Sequence, residues 1–401
     1  MRWIGALLLV TAVAAGDEFD DAALDGPDPA TWIVRRGMDR LDGKDGATPR
    51  SRHAVGLALQ WLAAHQDAYG RFDCDGFMKH DPEDDRWGGA GDAAYDVGVT
   101  GLALLAFLGN GHSFRGSEAD DVHVKTVEKA VRFLLRAQAK DGRLGGDGRA
   151  AVYEHAIAEA ALAEAYGAVR HPHVRAAAQR ALDALAAARD PGRGWRYAAG
   201  SGECDTSVTA WCVHALHVGR LSGLTVDEEA FAGALAWVEL MTDPGTGRTG
   251  YNTVGGPSWW HPETGDRGGP WSWPGGEERF EAMAAAGYCI RLFAGEDPRR
   301  SKPMKAAAKV FAEARPAWRP GDAVLDPYAW FWTSTALRRQ GGTPWRKWND
   351  ALHEALIASQ HPRGSGSRTG SWEPVGPWAR ECGRLGTTAL LALSLATWRL
   401  P

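Results

Sequence analysis

The chain alternates two kinds of apolar segment, and the alternation repeats about six times. In the first kind, hydrophobic positions follow the 3.6-residue period of one helix face, as at Val127, Val131 and Leu134. The second kind is rich in Ala and Gly and has little polar face, as in 153–165 and 386–398. No stretch shows the two-residue alternation of a half-buried strand. The pattern therefore predicts an all-α protein built from helical hairpins.

A glycine-containing turn, preceded by a Gln, joins the two helices of the clearest units. Gln66 lies four residues before Gly70, and Gln138 lies four residues before Gly142. Further units have a weakened or lost motif, and these are 185–195, 237–251, 305–318 and 356–372. Longer amphipathic helices suit an outer ring, and small-residue helices suit a crowded inner ring. Six hairpins that close on themselves predict an α/α toroid.

Length and composition are consistent with a single repeat domain. The chain has 401 residues, more than a usual domain, but a repeat array grows by adding units. Its 44% hydrophobic and 24% charged residues are ordinary for a globular protein. The formal net charge is −5, and no cluster of Lys and Arg is interleaved with aromatic residues, so we expect no nucleic-acid partner. We predict one α/α-toroid repeat domain over 51–401.

The first residues have the pattern of a secretory signal peptide. Arg2 supplies the positive charge, 3–15 are apolar, and the Ala-Val-Ala of 12–14 fits a cleavage site. This stretch is shorter than the roughly 20 apolar residues that span a bilayer. We predict a signal peptide over 1–15, a polar leader over 16–50, and a secreted or periplasmic protein. An uncleaved membrane anchor is the alternative.

Five cysteines are an odd number, so at least one thiol stays unpaired within the chain in an oxidising compartment. Cys74 and Cys382 precede inner helices of the first and last hairpins, which become neighbours when the ring closes. A disulfide between them is left open, because the sequence does not give their separation. Cys212 and Cys289 lie inside Ala-rich helices, where we expect them to act as small buried apolar residues.

The repeated Gln and Gly turns, with a bulky residue after each Gly, resemble the QW-type repeats of the squalene and hopene cyclases and the protein prenyltransferases. The resemblance covers about 52–401 and implies the same toroid. In those families the Gln amide ties the end of an outer helix to the start of an inner one and stacks on an aromatic ring. Gln66, Gln138 and Gln360 are the residues to which this role is carried over. An amide oxygen would also satisfy a free N–H group at an inner-helix start.

The catalytic motif of the hopene-type cyclases is not kept. The resemblance places their Asp-x-Asp-Asp-Thr-Ala on 205–210, which reads Asp-Thr-Ser-Val-Thr-Ala, so that Ser207 replaces the proton-donating Asp. A hydroxyl group cannot protonate an alkene, so we do not expect cyclisation started by protonation. Asp96 begins a similar frame, and we predict that Asp96 and Asp205 are helix N-caps. Asp205 is kept as the candidate catalytic residue.

A zinc site like that of the prenyltransferases is not expected. Those enzymes hold zinc with Asp, Cys and His, and the local candidates lack a tight ligand spacing. Asp205 and Cys212 lie two helical turns apart, about 10 Å along the axis. We therefore predict no metal and no cofactor. The acidic run 81–85 is interpreted as a solvated loop.

Two groups of aromatic residues are candidates for ligand binding. A Gly- and Pro-rich insertion over 255–276 contains four Trp, among them Trp259 and Trp260. It is predicted to form a lid or a platform for sugar rings, with simple packing on the rim as the alternative. The second group begins the fifth inner helix and consists of Tyr328, Trp330 and Trp332. Because these rings cannot all lie on one helix face, some should face the cavity.

Two functional classes follow from these features. The leading hypothesis is a hydrophobic, isoprenoid-type ligand in the central cavity, with peripheral membrane contact left open. The alternative is a secreted carbohydrate-active enzyme that works with paired carboxylates. Its candidate residues at the inner-helix starts are Asp96, Glu154, Asp205 and Glu281, and His155 is added as a ligand-binding candidate. A protein-binding scaffold is a third possibility that needs no site. Carboxylates facing each other about 5 to 10 Å apart would favour the enzyme, and a continuous apolar cavity would favour the isoprenoid ligand.

Overall fold

The structure, a computed structural model, describes residues 46–114, 121–148, 150–191, 193–256, 281–318, 325–376 and 378–397. The predicted signal peptide, most of the polar leader, Trp259 and Trp260 lie outside the described residues. The described part contains twelve α-helices, and its β pairing is a single bridge between Thr242 and Thr249. The helices are α1 Pro49–Ala64, α2 Asp96–Gly109, α3 Val122–Ala137, α4 Ala151–Val169, α5 Pro172–Ala187, α6 Thr206–Ser222, α7 Glu228–Met241, α8 Ala282–Phe293, α9 Lys302–Phe311, α10 Pro327–Gln340, α11 Gly342–Ser359 and α12 Ala379–Leu395.

The even-numbered helices form a closed inner ring. Each packs against the next even-numbered helix, and α12 packs against α2 to complete the circle. The odd-numbered helices lie outside, and each packs against the two inner helices beside it in the ring, which for α1 are α12 and α2. The predicted all-α toroid of six hairpins is confirmed.

Residue size explains which helices lie inside. Helix α3 buries one stripe, including Val127 and Leu134, whereas α2 is buried from Gly98 to its end. At Gly101 of α2, a β-carbon would lie 2.9 Å from the Cα of Ala158 in α4, so a larger residue would push the two helices apart. The Ala- and Gly-rich pattern thus allows the close approach that the inner ring requires.

The Gln residues of the repeat join neighbouring outer helices. Each side-chain amide donates to the glycine carbonyl of its own turn and to a carbonyl in the next outer helix. Over distances of 2.8 to 3.2 Å, Gln66 bonds to Gly70 and Thr126, Gln138 to Gly142 and Ala177, and Gln360 to Gly370 and Ala54. Since Ala54 belongs to α1, the last of these bonds closes the outer ring.

The sequence-based expectation that these amides satisfy an inner-helix start was wrong. The reason lies in the turn glycine, whose left-handed backbone brings the chain directly against the next outer helix. At Gly70, with φ of +94°, a β-carbon would lie 1.9 Å from the carbonyl oxygen of Lys129 in α3. The amide of Gln66 therefore meets helix carbonyls and acts as a donor.

A different side chain holds each turn against its inner helix. In four hairpins the backbone N–H of the bulky residue after the turn donates to a side chain on the inner helix. These pairs are Phe72 with Thr100, Leu144 with His155, Trp195 with Thr209, and Trp372 with Thr388. His155 also bonds through Nε2 to the carbonyl of Ala181 at 2.9 Å. Both ring nitrogens of this predicted ligand-binding residue are therefore occupied, and burial lowers its pKa to about 4, so the ring is neutral.

Candidate functional site

A cavity of about 350 Å³ lies where the N-terminal ends of α2, α4 and α12 meet. Small residues between 146 and 151 form one wall, and the ionisable lining residues are Asp92, Glu154, Arg380 and Glu381. Asp92 and Arg380 are exposed, so the cavity reaches solvent. Because these residues come from the first, second and last hairpins, the cavity spans the closure of the ring.

Backbone pairing across the closure brings the acidic residues together. The N–H of Asp92 donates to the carbonyl of Glu381 at 2.9 Å, and the N–H of Arg384 donates to the carbonyl of Gly89 at 2.8 Å. The N–H of Gly91 is bonded to the carbonyl of Cys74. The segment before α2 is therefore held between the first turn and the start of α12, which fixes Asp92 beside Glu381.

Glu154 is the buried acid of this cavity. It lies in the first turn of α4 with 4% of its surface exposed, and its Oε1 accepts the N–H of Gly98 at 3.3 Å. Two glycines make room for its carboxyl group. A β-carbon at Gly98 would lie 3.2 Å from Oε1, and one at Gly145 would lie 3.1 Å from Oε2. The carboxyl group is therefore enclosed on two sides by backbone.

This environment keeps Glu154 protonated at neutral pH. Burial raises its pKa to about 8, and the negative charges of Asp96 and Asp92 act in the same direction, while the N–H of Gly98 opposes them. A protonated carboxyl group in a cavity that is open to solvent can donate its proton to a bound substrate. The arrangement can thus perform general acid catalysis.

Asp96 does not cap its helix, contrary to the prediction. A short 3₁₀ turn runs directly into α2, and the carboxylate of Asp92 caps that turn by accepting the N–H of Ala94 at 2.9 Å. The carboxylate of Asp96 instead accepts the N–H of Cys74 at 2.8 Å and a guanidinium N–H of Arg71 at 3.1 Å. Asp96 therefore fixes the first turn of the repeat against α2.

Asp205 caps α6, as predicted. Its Oδ1 accepts the N–H of Val208 at 2.8 Å and the hydroxyl of Ser207 at 2.7 Å, and its Oδ2 accepts a guanidinium N–H of Arg196 at 3.2 Å. Burial raises the pKa of this fully buried carboxyl group, and the bonds from Val208, Ser207 and Arg196 act against that rise. These bonds occupy both carboxylate oxygens, and Asp205 is absent from the cavity wall, so the structure places it as a helix cap.

Glu281, the fourth predicted carboxylate, forms a two-point ion pair with Arg248. The oxygen–nitrogen distances are 2.5 Å to Nη2 and 3.0 Å to Nε. Of the four acids at the inner-helix starts, Glu154 lines the cavity, while Asp96, Asp205 and Glu281 are bonded to arginines. One of the four predicted carboxyl groups therefore lines the cavity, and the other three take part in ion pairs.

Sequence reasoning missed Asp92 and Glu381, which complete the acidic lining. Glu381 precedes Cys382, a residue already expected to reach the first hairpin when the ring closes. The same argument applied to carboxylates would have found Glu381. Asp92 carried no such signal, because its place depends on backbone bonds between the two ends of the ring.

Aromatic residues from α6 and α10 meet across the interior of the ring. The rings of Trp332 and Trp211 are 5.2 Å apart, Phe331 stacks on Trp211 at 5.3 Å, and the hydroxyl of Tyr328 donates to the carbonyl of Ser207 at 3.3 Å. Tyr328 and Trp332 are thus packed against residues of α6, are buried, and are not part of the cavity wall described above, so a ligand-binding role for them stays a prediction. Trp330 packs near Trp318 with a ring distance of 6.3 Å.

Three half-buried rings, which we call the axial aromatic group, lie at the N-terminal ends of inner helices. They are Tyr153 at the start of α4, Tyr197 in the turn before α6, and Trp378 just before α12. The ring of Tyr153 is 6.2 Å from that of Tyr197 and 5.7 Å from that of Trp378. Tyr153 and Glu154 both lie in the first turn of α4, so the axial aromatic group lies at the same end of the inner ring as the acidic cavity.

Within the described residues, no group of three or more His, Cys, Asp or Glu side chains could hold a metal ion. None of the described helices is long and apolar enough to cross a membrane. All five cysteines are free thiols, so the disulfide left open between Cys74 and Cys382 is not formed in this structure.

Comparison with known proteins relates the fold to two groups of enzymes. No protein-family profile matches the sequence, and no curated protein matches it. An α-1,6-mannanase from a Salegentibacter species matches in structure with a TM-score of 0.54 and 11% identity, over 86% of this chain and 98% of the mannanase. A type II terpene cyclase from Scytonema matches with a TM-score of 0.52 and 14% identity, over 87% and 98%.

An α-amylase from Clostridium perfringens is similar to the same extent, with a TM-score of 0.52 and 12% identity over 87% of this chain and 98% of the amylase. At such identities, structural similarity shows the fold alone. The predicted likeness to the terpenoid cyclase toroids is therefore supported at the level of the fold. Carbohydrate-active enzymes share that fold equally, and the relation to the squalene cyclases in particular stays a prediction.

Proposed function

We propose that this protein is a carbohydrate-active enzyme that hydrolyses a glycosidic bond in the acidic cavity. The observation that carries the proposal is Glu154, a buried carboxyl group with a pKa near 8 in a cavity open to solvent. Asp92 and Glu381 supply further carboxyl groups in the same lining. Two carboxyl groups in different environments are what glycosidic hydrolysis requires.

In the proposed reaction, Glu154 is the general acid. Its proton passes to the glycosidic oxygen as the bond between that oxygen and the anomeric carbon breaks. Water adds to the anomeric carbon, and its proton is taken by a carboxylate, for which Asp92 and Glu381 are the candidates. If water attacks directly, the anomeric configuration is inverted, and if a carboxylate attacks first, it is retained. Proton NMR of the initial product distinguishes these two routes.

The test uses the full chain and a panel of α- and β-linked oligosaccharides of mannose, glucose and galactose. Glu154→Gln removes the proton but keeps the size of the side chain, so hydrolysis should fall by about 10²- to 10⁴-fold with an unchanged melting temperature. The control is Glu229→Gln on the exposed side of α7, which should keep full activity. Undiminished hydrolysis by a folded Glu154→Gln variant would rule out the proposed role.

A hydrophobic, isoprenoid-type ligand is the second candidate. The axial aromatic group favours it, since its partly exposed rings offer an apolar surface inside the ring. Mass spectrometry of organic extracts from the purified protein tests this candidate, because a tightly bound lipid should co-purify. Export of the protein and peripheral contact with a membrane are proposed for either function. N-terminal sequencing of the exported protein that finds Ala15 or Gly16 as the first residue would support export.

A further inference from the structure

The axial aromatic group differs from the other large aromatic residues of the toroid. Trp195, Trp211, Trp332 and many others are fully buried and serve as core. Tyr153, Tyr197 and Trp378 instead keep part of their surface exposed, although they come from three separate hairpins. Their ring separations of 5.7 and 6.2 Å make one continuous aromatic surface with Tyr153 in the middle.

Contacts beneath the surface hold these rings in place. The hydroxyl of Tyr251 donates to that of Tyr197 at 2.9 Å, and the guanidinium carbon of Arg196 lies 5.2 Å from the centre of the Tyr197 ring. The ring of Tyr328 lies 6.1 Å from that of Trp378. The aromatic surface is thus preorganised, which reduces the conformational entropy that the protein loses when a ligand binds.

The aromatic surface and the acidic cavity lie at the same end of the inner ring. Tyr153 and Glu154 both belong to the first turn of α4, and Trp378 and Arg380 both lie at the start of α12, while the cavity wall itself contains none of the three rings. A molecule that binds in the cavity and extends toward the ring axis would lie on these aromatic faces. The chemistry of such a molecule must therefore combine polar groups at one end with an apolar face at the other.

We infer that the axial aromatic group binds a second sugar ring of the substrate, next to the unit that meets Glu154. A pyranose ring fits this surface, because its C–H groups form an apolar face that packs on aromatic rings while its hydroxyl groups stay free for hydrogen bonds. This inference rests on the proposed glycosidase function and specifies its substrate as an oligosaccharide. A free monosaccharide would fill the cavity without using the aromatic group.

The test measures binding by isothermal titration calorimetry with proteins that carry Glu154→Gln, so that the ligand is not hydrolysed. Mannose, glucose and galactose oligosaccharides, from monosaccharide to hexasaccharide, are the ligands. Trp378→Ala should weaken binding of the disaccharide and longer ligands by roughly three- to tenfold and leave monosaccharide binding unchanged. Trp378→Phe, which keeps an aromatic ring, should restore most of the loss. Equal affinity of Trp378→Ala and its parent for every chain length would overturn the inference.

Controls separate this inference from the proposed reaction and from mere instability. Trp87→Ala removes another indole, 41% exposed and outside the group, and should bind oligosaccharides as its parent does. If wild-type protein binds oligosaccharides through Trp378 but never cleaves them, the subsite stands and the proposed reaction fails. If geranylgeraniol binds and no oligosaccharide does, the sugar ligand is refuted.

Discussion

Glu154 and Asp205 occupy similar places in the toroid and differ in the number of groups that bond to them. Both are buried acids at the start of an inner helix, α4 and α6. Asp205 lies just outside its helix, where it accepts bonds from a backbone N–H, a hydroxyl and an arginine. Glu154 lies inside the first turn of its helix and accepts one backbone N–H at 3.3 Å.

The difference shows that helix position alone does not make a buried carboxyl group an acid catalyst. What matters is the number of donors that stabilise the charged form against the cost of burial. Burial raises the pKa of both groups, but the donors and the cation around Asp205 act against that rise and tie both of its oxygens to the fold. Glu154 has few donors and faces a cavity, so it keeps a proton that can be transferred.

The largest expected effect on stability is at Asp205. Asp205→Ala removes the cap of α6 and leaves the largely buried guanidinium of Arg196 without this partner, so we expect a loss of about 3 to 5 kcal/mol. Asp205→Asn keeps the cap but not the charge, so its free energy of unfolding should lie between those of wild type and Asp205→Ala. Chemical denaturation of the three proteins measures the series. A loss confined to about 1 kcal/mol would show that the ion pair adds little to the cap.

The pH dependence of the free energy of unfolding should reveal the raised pKa of Glu154. Its pKa is about 8 in the folded protein, mainly because of burial, and near 4.3 in the unfolded chain. Between these values the folded state holds a proton that the unfolded state has lost, so stability should decrease as pH rises, by at most about 1.4 kcal/mol per pH unit. Denaturation of wild type and Glu154→Gln from pH 5 to about 8 isolates this contribution, since only wild type should show it.

Glu159 extends the comparison to a carboxyl group without donors. It is fully buried in α4, and burial raises its pKa well above the usual range. Neither of its oxygens has a hydrogen-bond partner in the described residues. Glu159→Met should therefore stabilise the protein by about 1 to 3 kcal/mol, because it replaces an unsatisfied polar group with an apolar one of similar length. A loss of stability in this variant would point to a partner for Glu159 that the present contacts do not include.

The sequence predicted the ring well because each hairpin carries its own local signal. The helical period of α3, the small residues of the inner helices, and the Gln and Gly turns at 66–70 and 138–142 recur in register. Each of these patterns can be recognised within a short stretch of sequence, and all of them are consistent with the same α/α toroid. The N-cap at Asp205 was predictable for the same reason.

The site was only partly predictable because it depends on the closure of the ring. Glu154 was identified from its helix start, but its high pKa comes from the bulk of the surrounding protein and from Asp92 and Asp96. Asp92 meets Glu381 through backbone bonds between distant parts of the chain, which no local pattern records. The similar frames at 96 and 205 even suggested two caps where the structure has one.

The smallest expected effect concerns the glycines that enclose Glu154. Gly145 has φ of +87°, so Gly145→Ala should cost about 1 kcal/mol in backbone strain and place a methyl group against Oε2 of Glu154. Gly200→Ala is the matched control, since Gly200 has φ of +64° and nothing within 4 Å of the added carbon. Both variants should lose similar stability, but only Gly145→Ala should displace the carboxyl group and change the pH profile of hydrolysis. Identical profiles for the two variants would mean that the carboxyl group of Glu154 keeps its position and its pKa despite the extra methyl group.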